Sequence, residues 1–94
     1  IDYNKIQSLD FVKNVMKIEP LKNKIRSFNC NVEKINGHNI KMIEKSLINK
    51  SNKPKVIIAD TIKGKGVDFM ENKIVWHYKS PTKKQLDIAL KKLK

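Results

Sequence analysis

The sequence predicts an α/β domain: a small parallel sheet with flanking helices, in the order β-α-β-α-β-α. Three observations carry this prediction. Val56, Ile57, Ile58 and Ala59 form an unbroken apolar run between turn-forming residues, as in a strand covered on both faces. Two other short strand-like segments, Ile1 to Tyr3 and Val32 to Ile35, are separated from it by stretches with helical apolar spacing. Lys63-Gly64-Lys65-Gly66 follows the apolar run directly, at the edge where open α/β sheets bind ligands.

Each element has its own justification. Ile1 to Tyr3 reads as the end of a strand. Gln7 to Ile18 is ambiguous, because Phe11, Val12, Val15 and Met16 suit either a short helix or an ordered loop. Pro20 suits the first turn of a helix whose Leu21, Ile25 and Phe28 share a face. Val32 to Ile35 is a strand stopped by Asn36-Gly37. Asn39 caps a helix with a predicted buried stripe of Ile40, Ile43 and Leu47. The main strand runs from Lys55 to Ile62, after Pro54. Thr82 and Gln85 form a capping box for a last helix, with Leu86, Ala89, Leu90 and Leu93 on one face.

Composition sets the bounds. Ninety-four residues with 39% apolar content make one domain at most, with a modest core. The chain begins at Ile1 within a strand pattern, so it is expected to be the tail of a longer domain. No run suits a transmembrane helix or signal peptide. The lone Cys30 argues against a disulfide framework and suits a reducing cytosol, so a cytoplasmic location is expected; its plain role is a small buried hydrophobe. The net charge of +12 raises the question of a nucleic-acid partner. Against it, the lysines are spread along the chain, Arg26 is the single arginine, and aromatics are only 6%. A solvated lysine-rich surface is the preferred reading, with no nucleic-acid partner and no membrane.

Chemistry is expected at the sheet edge. If Ile1 to Tyr3 and the main strand are parallel neighbours, Asn4 and Lys63 follow adjacent strand ends. A neutral oxygen ligand then meets a cationic glycine loop, which suits a metal-bound polyphosphate. His77 is placed to donate to a phosphate or move a proton. Each residue also has a plain structural reading. Asn4 can form a turn, Ile6 can be core, Lys63 and Lys65 can be solvated, and Gly64 and Gly66 can serve only a tight turn. His77 can be a satisfied histidine beside Trp76, and His38 reads as structural. Asp60, at the strand end, is a possible base or ligand, and Asp68 and Glu71 read as loop carboxylates.

DYNKIQ, EPLKNKIRSF, KINGHNIKMI, KPKVIIADTIKGKGVDFMEN, and WH followed by SPT cover nearly the whole chain. In this order they resemble the C-terminal part of the thiamine diphosphate-binding domain of transketolase, and most closely the separate N-terminal subunit of split transketolases. The resemblance implies that residues 1–94 form the C-terminal part of that domain. It implies that Asn4 gives its amide oxygen, and Ile6 its backbone carbonyl, to a divalent metal: Mg²⁺, or Ca²⁺ or Mn²⁺ in its place. Lys63 and Ile6 would lie by the cofactor, and His77 would contact both diphosphate and sugar and act in catalysis. The implied activity is transfer of a two-carbon ketol unit between sugar phosphates in pentose phosphate and carbohydrate metabolism. Thiamine diphosphate serves there as the electron sink. A C-terminal subunit or domain would be the partner, in a homodimer or heterotetramer.

Departures from the family pattern narrow these expectations. The family's glycine after the His is Tyr78 here, which bears on the sugar entrance. The family's Gly-Asp-Gly metal segment, its upstream histidines and the pyrimidine-binding domain do not occur in this sequence, so the chain alone is expected to bind cofactor weakly without turnover. A deoxyxylulose-phosphate synthase would lack the FMEN-then-WH pattern. A non-enzymatic polyanion-binding module would need lysines clustered on one helix face among aromatics, which are not evident. The loop also lacks GxxxxGK[ST] spacing.

Overall fold

Parallel pairing along the apolar run organises the chain. The computed structural model describes residues 1–93. The elements are β1 (Asp2–Tyr3), β2 (Ile6–Gln7), β3 (Asp10–Phe11), α1 (Val12–Val15), α2 (Leu21–Arg26), β4 (Asn31–Asn36), α3 (Ile40–Ile48), β5 (Lys55–Asp60) and α4 (Lys83–Lys92), with a 3₁₀ turn at Ile74–His77 before α4. The sheet order is β1-β5-β4, with both pairings parallel. Tyr3 stands opposite Asp60, Val32 opposite Val56 and Asn36 opposite Asp60. The predicted neighbour relation of the first and main strands therefore holds. The main strand stops at Asp60, two residues short of Ile62.

The pleat assigns the two faces. Tyr3, Val32 and Ile58 form the buried cluster on one face, with Val56, Ile18, Cys30, Leu21 and Ile25 packed against it. Leu21 and Ile25 dock α2 there, as their spacing predicted. Phe28 lies past the end of α2 and is exposed. Glu33 and Ile35 point to the other face, under α3. Asn39 caps α3 by accepting from Met42 N at 3.1 Å. Lys55 Nζ donates to Ser46 O at 2.6 Å and to Asn49 O, satisfying carbonyls at the helix C-terminus.

The predicted stripe of α3 is corrected. Ile40 is 75% and Leu47 67% exposed, Ile43 is half-buried, and Ser46 is the buried residue. Ser46 Oγ donates to Glu33 Oε2 at 2.5 Å, and this polar anchor sets the helix's inward face. The prediction weighed apolar spacing alone and could not see a carboxylate on the strand below. A similar limit applies to α4. Its capping box is present, with Thr82 N donating to Gln85 Oε1 at 2.9 Å and Gln85 N to Thr82 Oγ1 at 3.3 Å. Ala89 is buried, but Leu86, Leu90 and Leu93 are exposed. Leu93 lies against Gly66, and Lys92 pairs with Asp68, tying α4 to the loop after β5.

The ambiguous Gln7 to Ile18 segment resolves into more than one short helix. β2 and β3 form a tight antiparallel hairpin, with Ile6 opposite Phe11 and Gln7 opposite Asp10, followed by the single turn α1. Ser8 takes the positive φ of the hairpin turn, at 45°. No Asn-Gly or Gly marks that turn in the sequence, so the usual hairpin signal is missing. Among the described residues, no helix is long and apolar enough to cross a membrane.

Candidate functional site

β1 and β5 end side by side, so the residues that follow them share one edge of the sheet. Thr61 N donates to Tyr3 O at 3.4 Å across that edge. A cleft of about 750 Å³ opens there, with Asn4, Phe11, Met16, Ile62 and Asn72 among its lining residues. Ile62 is fixed by His38, whose Nε2 accepts from Ile62 N at 2.7 Å.

Asn4 to Ile6 turns the chain from β1 into the hairpin. Asn4 Oδ1 accepts from Ile6 N at 2.9 Å, an Asx turn that fixes the amide's direction. Lys5 takes the left-handed conformation, φ 65°, and its carbonyl accepts from Val12 N at 2.9 Å. Antiparallel ladders alternate between bonded and non-bonded pairs. The Lys5–Val12 bond therefore makes Ile6–Phe11 the non-bonded pair, and the Ile6 carbonyl faces away from β3, on the side of Asn4 Oδ1. An amide oxygen has two lone pairs, so the bond from Ile6 N leaves one free. Two neutral oxygens on one edge suit a hard cation, but they fill only part of the six positions Mg²⁺ requires. No group of three or more His, Cys, Asp or Glu is placed to hold a metal ion among the described residues.

Charge concentrates beside this turn. Asp60 Oδ1 lies 2.9 Å from Lys5 Nζ and Asp60 Oδ2 3.7 Å from Lys34 Nζ. Both ammonium groups also stand over the Tyr3 ring, at 5.8 Å and 5.4 Å from its centroid. A second cleft of about 500 Å³ lies here, lined by Lys5, Lys34, His38, Asp60 and Lys65 among others. Lys5, chiefly through its hydrogen bond, holds the Asp60 carboxyl below its ordinary value. The Tyr3 hydroxyl donates to Glu19 Oε1, while Glu19 Oε2 accepts from Leu21 N at 2.9 Å. The bond from Tyr3, then that from Leu21, holds the Glu19 carboxyl down. The same Tyr3–Glu19 bond, with burial, pushes the Tyr3 phenol up to about 12.

These directions predict a pH profile. Asp60 and Glu19 bind protons less readily in the folded chain than in the unfolded one. Their stabilisation is present above the ordinary carboxylate range, near pH 4, and is lost as pH falls through it. Tyr3 is the reverse case: its contribution is full below its ordinary value and is lost as pH rises toward about 12. Urea melts from about pH 3 to 11 should show a plateau with both limbs. Tyr3→Phe should flatten the alkaline limb and soften the acid one. An unchanged acid limb in that variant would show that Tyr3 does not hold Glu19.

The loop after β5 is fastened to itself. Gly64 and Gly66 take positive φ, 74° and 95°, and Asn72 N donates to Lys63 O at 3.0 Å. Val67 is buried, Glu71 Oε1 accepts from Gly66 N at 3.1 Å, and Lys65 lies 3.6 Å from the same carboxylate. Trp76 Nε1 donates to Phe69 O at 2.9 Å, and the two rings stand 5.4 Å apart. Of the four residues picked from the sequence, Asn4 lines the main cleft and Ile6 is bonded to it. Lys63 follows the lining residue Ile62 but lines neither cleft. His77 ends the 3₁₀ turn, exposed, and lines neither cleft. The pairing of Asp60 with Lys5 was not found in sequence. Its only signal is a lysine, rather than Gly or Asn, directly after Asn4 at a turn.

No family model matches the chain. Among curated proteins, the chain is 36% identical to an apulose-4-phosphate transketolase subunit of Actinobacillus succinogenes, over 99% of its own length and 34% of the relative's. It is 35% identical to the 6-deoxy-6-sulfo-D-fructose transketolase subunit SqwG of a Clostridium species, over 98% of the chain and 34% of that protein. A second apulose-4-phosphate transketolase subunit, from Phocaeicola vulgatus, is 31% identical over 99% of the chain and 34% of its own length. The chain thus spans about a third of the length of the curated relatives it matches.

Proposed function

Because this chain is homologous, along almost its whole length, to a third of split-transketolase subunits, we propose that it supplies one edge of a thiamine diphosphate and metal site in such an enzyme. The assembly would transfer a two-carbon ketol unit between sugar phosphates, with a second subunit completing the site. The observation that carries this reading is the Asn4–Ile6 turn. It sets Asn4 on the cleft lining with its amide oxygen bonded to Ile6 N, next to a strand end that leads into a lysine–glycine loop.

When bound, thiamine diphosphate supplies the electron sink for cleaving and making the carbon–carbon bond. This chain's part is to bind and orient. Asn4 Oδ1 and the Ile6 carbonyl offer neutral oxygens to Mg²⁺, so the ion keeps its positive charge for the diphosphate. In the loop after the central strand, Lys63 is the cation that would favour an anion, because Lys65 and Gly66 N are held by Glu71. His77, on the exposed 3₁₀ turn, would donate a proton or hydrogen bond to the diphosphate or sugar on closure with the rest of the assembly. Tyr78, 67% exposed, would line the sugar's entrance.

Calorimetric titration of thiamine diphosphate with Mg²⁺ tests the reading, on the chain and on any longer natural product that contains it. Weak binding is expected in the 94-residue chain, tight binding in the longer product, and ketol transfer only when the second subunit is added. Asn4→Ala should lower Mg²⁺-dependent affinity by about tenfold or more. Binding independent of Mg²⁺, or unchanged in Asn4→Ala, would refute the metal role. Turnover by the 94-residue chain alone would refute the division of labour.

A further inference from the structure

Lys5 takes a φ of 65°, a conformation glycine adopts freely and a lysine adopts only under strain. In that conformation Asn4 Oδ1 accepts from Ile6 N and the Lys5 carbonyl accepts from Val12 N. Its side chain ends 2.9 Å from Asp60 Oδ1. Asp60 is mounted on the most constrained strand: β5 is central, Asp60 pairs with Tyr3 on one side and Asn36 on the other, and its carbonyl accepts from Gly37 N at 2.8 Å. Lys34, reaching from β4, lies 3.7 Å from its second oxygen. A partly exposed carboxylate on a constrained strand end therefore meets the side chain of the residue whose left-handed backbone links Asn4 to Ile6.

We propose that Asp60 is a positioning residue: through its ion pair with Lys5 it holds the Asn4–Ile6 turn, and with it the two oxygens offered to a divalent cation. The cation part rests on the functional reading above; the clamp itself does not. Asp60 need not touch the ion. It acts as outer-shell groups do, by fixing the ligands' direction from a rigid element. A lysine at position 5 is required because its side chain, unlike that of glycine or asparagine, spans from the turn to the strand end.

Two variants separate the clamp from the general electric field. Asp60→Asn removes a negative charge and Lys5→Met a positive one. A field effect alone would weaken cation binding in the first and tighten it in the second. The clamp predicts weaker binding in both, by about fivefold each. The probe is Mn²⁺, with thiamine diphosphate present, read by paramagnetic broadening of the Asn4 and Ile6 amide signals. Hydrogen exchange of the Ile6 and Val12 amides, measured without metal, gives a second readout. Both should exchange several-fold faster in each variant while the Ile58 amide is unchanged. Tighter or unaltered Mn²⁺ binding in Lys5→Met, or unaltered exchange at Ile6 and Val12, overturns the proposal. Asn4→Ala is the control for the underlying reading: if it leaves Mn²⁺ binding intact, the cation reading fails, and amide exchange still decides whether the clamp exists.

Discussion

Ile58→Ala is expected to remove the cooperative unfolding transition of this chain. Ile58 is 1% exposed, the only large side chain buried to that degree among the described residues. It sits on the central strand, between Tyr3 of β1 and Val32 of β4, and Val56, Leu21 and Ile25 complete its surroundings. Truncation removes three carbons there and leaves a cavity that a pleated strand between two neighbours cannot close. The expected loss is about 3–4 kcal/mol. A domain of this size sits near the low end of native stabilities, about 5 kcal/mol, so most of its stability goes with one side chain. The check is urea unfolding followed by far-ultraviolet circular dichroism. Leu47→Ala, at a position 67% exposed on α3, should shift the midpoint little. If Ile58→Ala unfolded at nearly the wild-type urea concentration, the β1-β5-β4 core would not be what holds the chain together.

The parallel sheet was legible because it rests on local apolar content. Val56 to Ala59 has no polar interruption, and no helix of useful length fits between Pro54 and Gly64. The α4 cap was legible because Thr82 and Gln85 make their bonds within one turn. What stayed hidden depends on partners distant in sequence. Ser46 bonds Glu33 on the buried side of α3, and Ile40 and Leu47 of the predicted stripe stay exposed while Ile43 is half-buried. The hairpin at Ile6 to Phe11 rests on a positive φ at Ser8 that no residue type announces. At the site, the sequence pointed to Asn4 and Ile6 through their motif, and the Asx turn joins them. It marked Asp60 only as a possible base or ligand and did not reveal its pair with Lys5, because an ion pair between a strand end and a neighbouring turn is a property of register. The lysines follow the same logic. Lys55 satisfies carbonyls at the end of α3, and Lys5, Lys34, Lys65 and Lys92 each face a carboxylate at the surface, so part of the +12 charge is locally paired.

Gly64→Ala should disable the loop that follows the central strand. Two independent effects act at this position. Its φ of 74° is left-handed, which costs an alanine about 1 kcal/mol or more. An added Cβ would also stand 2.9 Å from the carbonyl carbon and oxygen of Met70. Those are backbone atoms, and Met70 cannot step aside without loosening bonds around it: Met70 N donates to Val67 O at 2.7 Å, and Lys73 N to Met70 O at 3.2 Å. The expected result is a loop that opens, at a cost of about 2–4 kcal/mol, while the sheet remains. Gly66→Ala makes the comparison informative. Its φ of 95° is also strained, but the Cβ would meet only Leu93 Cδ2, at 3.1 Å, the flexible end of an exposed side chain. Hydrogen exchange at Asn72, whose amide donates to Lys63 O, should therefore rise much more in Gly64→Ala than in Gly66→Ala, with the Ile58 amide protected in both. If the loop presents Lys63 to the cofactor diphosphate, thiamine diphosphate affinity should fall in the same order. Equal exchange in the two variants would mean that Met70 yields easily and the loop is not braced at Gly64. Ordered exchange with unchanged cofactor affinity would mean that the brace exists but serves the fold alone, and the diphosphate contact would have to be sought in residues other than Lys63.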